Sequence, residues 1–166
     1  MLRKKIGLVV CVCLYWFSAT VFATGPTLDF FRQTPDGGGL KLSEFRGQWV
    51  VINFWATWCG PCITEIPELQ YLHDNHPEAS VIGVNFETID VADLKQFIHN
   101  LNITYPIVLV GNEPLIPFEP LKGLPSSFVV SPEGAFVTGH VGAVDCQWLA
   151  NNTGAVIDCP TEHQPD

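Results

Sequence analysis

Hydrophobic positions fall into short runs whose period switches between that of a strand and that of a helix. Trp49-Val50-Val51-Ile52-Asn53-Phe54-Trp55 is a nearly continuous apolar run rich in β-branched and aromatic residues. That is the pattern of a central strand buried on both faces. Ile63, Ile66, Leu69 and Leu72 then recur at helical spacing and predict a helix from about Pro61 to about His73. Pro61 suits a first helical turn, whereas Pro67 lies inside and is expected to kink the helix. A strand over Val81–Phe86 and a second helix over Val91–Leu101 follow, with Asp90 as N-cap. Strands are then expected at Ile107–Val110, Ser127–Val130 and Ala135–Val141, the last two joined by the turn Ser131-Pro132-Glu133-Gly134. A short helix begins near Asp145. Upstream, Leu28–Phe31 and Leu40–Leu42 flank Pro35-Asp36-Gly37-Gly38-Gly39 and predict a hairpin. Strands alternating with helices imply an α/β fold, a mixed sheet with helices on both faces.

The N-terminal pattern is of another kind. Met1-Leu2-Arg3-Lys4-Lys5 precedes an apolar run from Ile6 to Phe17, and Val21 and Ala23 stand at −3 and −1 of a cleavage site. A basic head, a short apolar stretch and a small-residue exit read as a secretory signal over residues 1–23, followed by one domain over 24–166. An uncleaved anchor tethering that domain to the membrane is the alternative, because Ile6 to Ala23 just reaches bilayer-spanning length. Cys11 and Cys13 read as plain apolar residues of the segment; small residues do not directly precede Cys13, as a lipidation site would want.

Composition narrows the function classes. A chain of 166 residues with 47% hydrophobic content holds one core, and its net charge of −9 argues against nucleic acid as partner. Three of the eight cationic side chains and none of the seventeen acidic ones precede Ala23, so cleavage there leaves a charge of −12. Export places the remaining four cysteines where disulfides persist, in the periplasm or its equivalent.

Trp58-Cys59-Gly60-Pro61-Cys62 sits between the central strand and its helix. Two cysteines three apart at a helix start can close a small disulfide ring. The first meets unpaired N–H groups and the positive end of the helix dipole, which favour an anion. Cys59 is therefore expected to have a lowered pKa and to act as nucleophile. Cys62, one turn further in, is expected to be more buried and to resolve the mixed disulfide. Pro61 stiffens the ring, and Gly60 permits close approach of a substrate chain. Half a zinc site and a purely structural disulfide are the competing readings, but Cys146, Cys159 and the histidines offer no second C-x-x-C or H-x-x-x-H, and the strand-to-helix placement disfavours a mere staple. No metal or cofactor is expected. His73, His76, His99, His140 and His163 read as surface or hydrogen-bonded residues.

Phe54-Trp55-Ala56-Thr57-Trp58-Cys59-Gly60-Pro61-Cys62 resembles the active-site run of the thioredoxin superfamily, and more narrowly that of the exported TlpA/ResA-like thiol–disulfide oxidoreductases. Leu42-Ser43-Glu44-Phe45-Arg46-Gly47-Gln48 is similar to that family's lead-in, Glu65-Ile66-Pro67 to its E-x-P, and Gly123-Leu124-Pro125-Ser126-Ser127-Phe128 to its cis-proline loop. The resemblance spans about residues 28–142. It implies a thioredoxin-like fold with an N-terminal hairpin and the family's helix-containing insert. It makes Pro125 the cis-proline that lies against the disulfide and helps dock substrate backbone. It also implies a protein-disulfide reductase fed by a membrane thiol reductase, acting on disulfide-containing proteins such as apocytochrome c or a copper-delivery protein. A dithiol oxidase and a Cu(I)-binding thiol chaperone are the alternatives.

Asn53 departs from thioredoxin proper, which has a buried Asp there; asparagine cannot take up a proton. Glu65, about one turn past Cys62, is expected to do that acid–base work, a solvated first-turn glutamate being the alternative. Trp55 and Trp58 are expected to collar the site, with plain core as the other reading of Trp55. Cys146 and Cys159 would be about 20 Å apart on one continuous helix, too far to bond. Asn151-Asn152-Thr153-Gly154 stops the helix, however, and a tail folding back predicts a structural disulfide between them.

Overall fold

The computed structural model describes residues 26–111, 114–115 and 118–159; the expected export segment with Cys11 and Cys13, and His163, lie outside the described residues. The elements run β1 (Phe31–Gln33), β2 (Gly39–Lys41), β3 (Trp49–Trp55), α1 (Gly60–Asn75), β4 (Ala79–Asn85), α2 (Val91–Asn100), β5 (Ile107–Leu109), β6 (Ser126–Val130), β7 (Phe136–Val141) and α3 (Cys146–Asn152). β1 and β2 form an antiparallel hairpin, and the other five strands form one sheet in the order β5-β4-β3-β6-β7. β3, β4 and β5 are parallel neighbours, whereas β6 and β7 run antiparallel. This is the mixed sheet with flanking helices of a thioredoxin-like fold.

Each central strand sends alternate side chains to opposite faces. Val51 and Trp55 of β3 and Val81 of β4 join Leu69 and Leu72 of α1, Leu94 of α2 and Leu149 of α3 in one apolar cluster. Val50, Ile52, Phe54, Ile82 and Val84 enter a second cluster with Leu40 and Leu42 of the hairpin and its 3₁₀ turn, and with Leu115 and Phe118. Among the described residues all three α-helices thus lie on one face, which corrects the expectation of helices on both. The steps β3→β4→β5 cross the sheet in one direction, and two right-handed crossovers in the same direction put both helices on the same side. Between β5 and β6, Leu115 and Phe118 pack on the other face. There Phe54 packs against Phe128 (ring centroids 5.7 Å apart) and Phe118 (6.3 Å).

Element ends differ from the pattern where backbone bonds outrank side-chain period. The first strand starts at Phe31 rather than Leu28, because the Leu28 N–H bonds the Gly134 carbonyl (2.7 Å) in the turn before β7. Asp90 caps α2 by accepting from the Ala92 N–H at 2.8 Å. α1 continues through exposed Pro67 to Asn75. Gly134 holds a left-handed φ of +90°, and a Cβ there would lie 2.4 Å from the Arg46 guanidinium carbon. Gly134→Ala is therefore expected to cost about 1–2 kcal/mol in denaturant unfolding. An unchanged midpoint would refute the need for glycine at this turn.

Candidate active site

The run of β3 delivers the chain to the end of the sheet, and α1 leaves from the same point. Cys59 is the N-cap of α1 and Cys62 stands in its first turn. They are joined as a disulfide, with Cα atoms 5.3 Å apart. The Cys62 N–H donates to the Cys59 Sγ at 3.3 Å, so the first cysteine's sulfur lies on the open amides of the helix start. A thiolate there would be favoured by both the amide and the dipole. Cys59 is 5% exposed and Cys62 1%, a difference in access that suits an attacking and a resolving sulfur. Gly60 and Pro61 are exposed around the ring. Trp58 is 70% exposed beside it, whereas Trp55 is buried and stacked on Phe97 of α2 at 5.7 Å. Only Trp58 is therefore placed to meet a partner; Trp55 belongs to the core.

The loop before Cys59 is anchored by a residue that sequence reading passed over. Glu87, just beyond β4, accepts from the Thr57 N–H (2.7 Å), the Thr57 hydroxyl (3.1 Å) and the Asn85 side-chain amide (2.9 Å). Nothing in the local pattern distinguishes Glu87 from a solvated acid, because Thr57 lies 30 residues away.

Glu65 faces inward from α1 and is 1% exposed, which removes the solvated reading. One carboxylate oxygen accepts from the Asn53 Nδ2 (2.7 Å) and the other from the Val144 N–H (2.7 Å). Asn53 in turn donates to the Ser127 hydroxyl at 2.9 Å. Burial pushes the Glu65 carboxyl up to about 7, against the smaller opposing pull of its two hydrogen bonds. Burial also pushes the Tyr105 phenol upward, and the nearby Glu65 charge adds to it. The polar side chain interrupting the central apolar run is thus matched by a buried acid on the helix above it. Ser127 and Val144, the other members of this set, carry no signal of their own in the sequence.

β6 lies antiparallel to β3 with Ser126 opposite Phe54, which brings Pro125 to the same end of the sheet as Cys59. The Leu124–Pro125 bond is cis, as is Glu119–Pro120. The Pro125 carbonyl accepts from the Gly142 N–H at 2.9 Å, tying this loop to the one after β7.

Cys146, the first residue of α3, is disulfide-bonded to Cys159 with Cα atoms 5.6 Å apart. The chain turns back after Asn152, buries Ala155 and packs Ile157 against the helix-side cluster. Replacing both cysteines by alanine is expected to cost about 2 kcal/mol in denaturant unfolding, the low end for such a loop because Ala155 and Ile157 still hold the tail. An unchanged stability would show that the bond constrains nothing.

The described histidines take ordinary roles. His73 accepts from the Val81 N–H at 3.3 Å, and burial lowers its pKa; His140 rests on Trp148. Among the described residues no group of three His, Cys, Asp or Glu side chains is placed to hold a metal ion, and no helix is long and apolar enough to cross a membrane.

The AhpC/TSA family profile matches residues 24–137. The chain is 28% identical over 153 residues to the thiol-disulfide oxidoreductase ResA of Bacillus subtilis, covering 86% of this chain and 85% of that protein. It is 30% identical over 141 residues to ResA of Geobacillus kaustophilus, covering 80% and 79%. Among solved structures it is similar to StoA from Bacillus subtilis, with a TM-score of 0.63 and 25% identity over 75% of this chain and 96% of that one.

Proposed function

Since the chain belongs to the AhpC/TSA family and is a thiol–disulfide oxidoreductase of the ResA type, we propose that it is exported and reduces disulfides in other proteins through Cys59 and Cys62. The observation that carries this reading is the Cys59–Cys62 ring at the start of α1, with its less accessible sulfur one turn from a buried carboxylate. In the reduced protein the Cys59 thiolate attacks one sulfur of a substrate disulfide. The other substrate sulfur leaves as a thiolate and takes a proton. Cys62 then gives up its proton and attacks Cys59, releasing the second substrate thiolate and restoring the ring.

Glu65 is the group for the Cys62 proton. Its pKa of about 7 lets it exchange a proton at neutral pH, which Asn53 cannot do. Both of its partners are donors, so ionised Glu65 is satisfied as it stands. When protonated it needs an acceptor, and a half-turn of the Asn53 amide presents Oδ1 while the Ser127 hydroxyl rotates to donate. Pro125 and exposed Trp58 frame the face where substrate backbone would lie.

The Gly60-Pro61 dipeptide resembles that of reducing members, which favours reduction. The electrons would come from a membrane thiol reductase, and the resemblance points to apocytochrome c or a copper-delivery protein as substrate. Residues 1–23 serve as the export segment, a cleaved signal or a retained tether. Cys62→Ser expressed in the native compartment is the test. The stranded Cys59 mixed disulfide should hold the substrate for identification, and failure to capture any protein would count against the reading. A reduction potential of about −120 mV, rather than about −270 mV, would reverse the direction to oxidation.

A further inference from the structure

The Cys146–Cys159 disulfide ends two residues from the backbone amide that holds Glu65. Val144 N–H reaches the Glu65 carboxylate across 79 residues of sequence. The short loop 142–145 that carries it has no regular structure. It is fixed at one end by the Gly142 N–H on the Pro125 carbonyl, and at the other by the start of α3. α3 has seven residues, too few to be stable without tertiary support. Its first residue, Cys146, is buried and bonded to Cys159, and Asp145 caps it by accepting from the Trp148 N–H at 2.7 Å. The tail that brings Cys159 back is packed by Ala155 and Ile157 into the same apolar cluster as Cys59 and Cys62.

We propose that the Cys146–Cys159 disulfide is a positioning device for the redox site: it clamps the start of α3 so that the Val144 N–H stays on the Glu65 carboxylate. The proposal deepens the oxidoreductase reading and rests on it for its functional meaning. The physical consequence is that the second disulfide sets the proton affinity of the acid serving the first. Loss of a hydrogen bond to the ionised form raises a carboxyl pKa. Of the other groups near this loop and carboxyl, Asn53 already donates to the opposite oxygen, the Ser127 hydroxyl bonds Asn53, the neutral Tyr105 phenol adds no charge, Cys62 is in its disulfide and Asp145 accepts from the Trp148 N–H.

The test is the titration of the Glu65 side-chain carboxyl, followed by carbon NMR on the full oxidised chain. Glu65→Gln identifies the resonance. Cys146→Ala with Cys159→Ala is expected to raise the midpoint by about one unit from its value near 7. A folded double variant with an unmoved midpoint overturns the proposal, even if its melting temperature falls, because a pure staple changes stability and not this proton. Cys146→Val with Cys159→Ala serves if the first pair does not fold. In the wild type itself, the Val144 amide proton shift must follow the Glu65 midpoint, and a flat trace overturns the proposal without any variant. The measurement needs no turnover. An unmoved midpoint beside a successful Cys62→Ser trap sinks this proposal alone, and a moved midpoint beside an empty trap sinks the redox reading alone.

Discussion

Cys59→Ser is expected to lower disulfide-reductase turnover by at least about a thousandfold, while Cys62→Ser retains the first attack and stalls as a mixed disulfide. The asymmetry follows from position. Cys59 caps α1 and is the less buried residue of the pair, 5% exposed against 1% for Cys62. A serine hydroxyl at the same helix start stays protonated at neutral pH and cannot take the thiolate's place. Single-turnover reduction of a small disulfide, followed by mass spectrometry of the protein, distinguishes the two variants. Equal activity in both, or a stable adduct on Cys62 instead of Cys59, would reverse the assignment of roles.

Glu65→Gln is expected to have the second-largest effect, and its sign differs between stability and activity. Burial holds the Glu65 carboxyl at about 7 in the folded protein, against 4.5 ordinarily. Between those values the folded state keeps a proton that the unfolded chain has released, so wild-type stability falls as pH rises through the window and stays lower above it. A shift of about 2.5 units corresponds to on the order of 3 kcal/mol. Glutamine has no proton to lose, and a half-turn of Asn53 satisfies its amide. The stability of Glu65→Gln relative to wild type should therefore rise by on the order of 3 kcal/mol between pH 4.5 and pH 8. Denaturant unfolding of the two oxidised proteins at both pH values measures it. Taking the difference cancels exposed acids such as Asp29, Asp74 and Glu133, whose lowered pKa values act in the opposite direction. Turnover, by contrast, should drop by about a hundredfold and lose its inflection near neutral pH. Parallel stability curves would show that Glu65 is not the buried acid described, and an unchanged rate profile would remove it from the proton step.

Much of this molecule was legible from local pattern. β3 and the start of α1 were visible because a strand buried on both faces and a helical stripe are short-range signals. The hairpin and the turn before β7 were visible because glycines and prolines punctuate them. Cys59 and Cys62 stood out because their spacing lets two sulfurs meet within one helical turn. The ends of β1 were less legible, since Leu28 spends its amide on Gly134, more than a hundred residues on.

By itself, then, the sequence determined the order of strands and helices, the place of the dithiol at a strand–helix junction and the presence of one acid a turn beyond it. Only the tertiary structure decided which face the helices cover, that Glu65 points inward, and that its carboxylate is shared between Asn53, 12 residues away, and Val144, 79 residues away. It also placed the expected Cys146–Cys159 disulfide beside that loop. Hydrophobic period records which side chains leave water. A carboxyl's proton affinity depends on what surrounds it, and those neighbours are assembled by strand order and handed crossovers from distant parts of the chain.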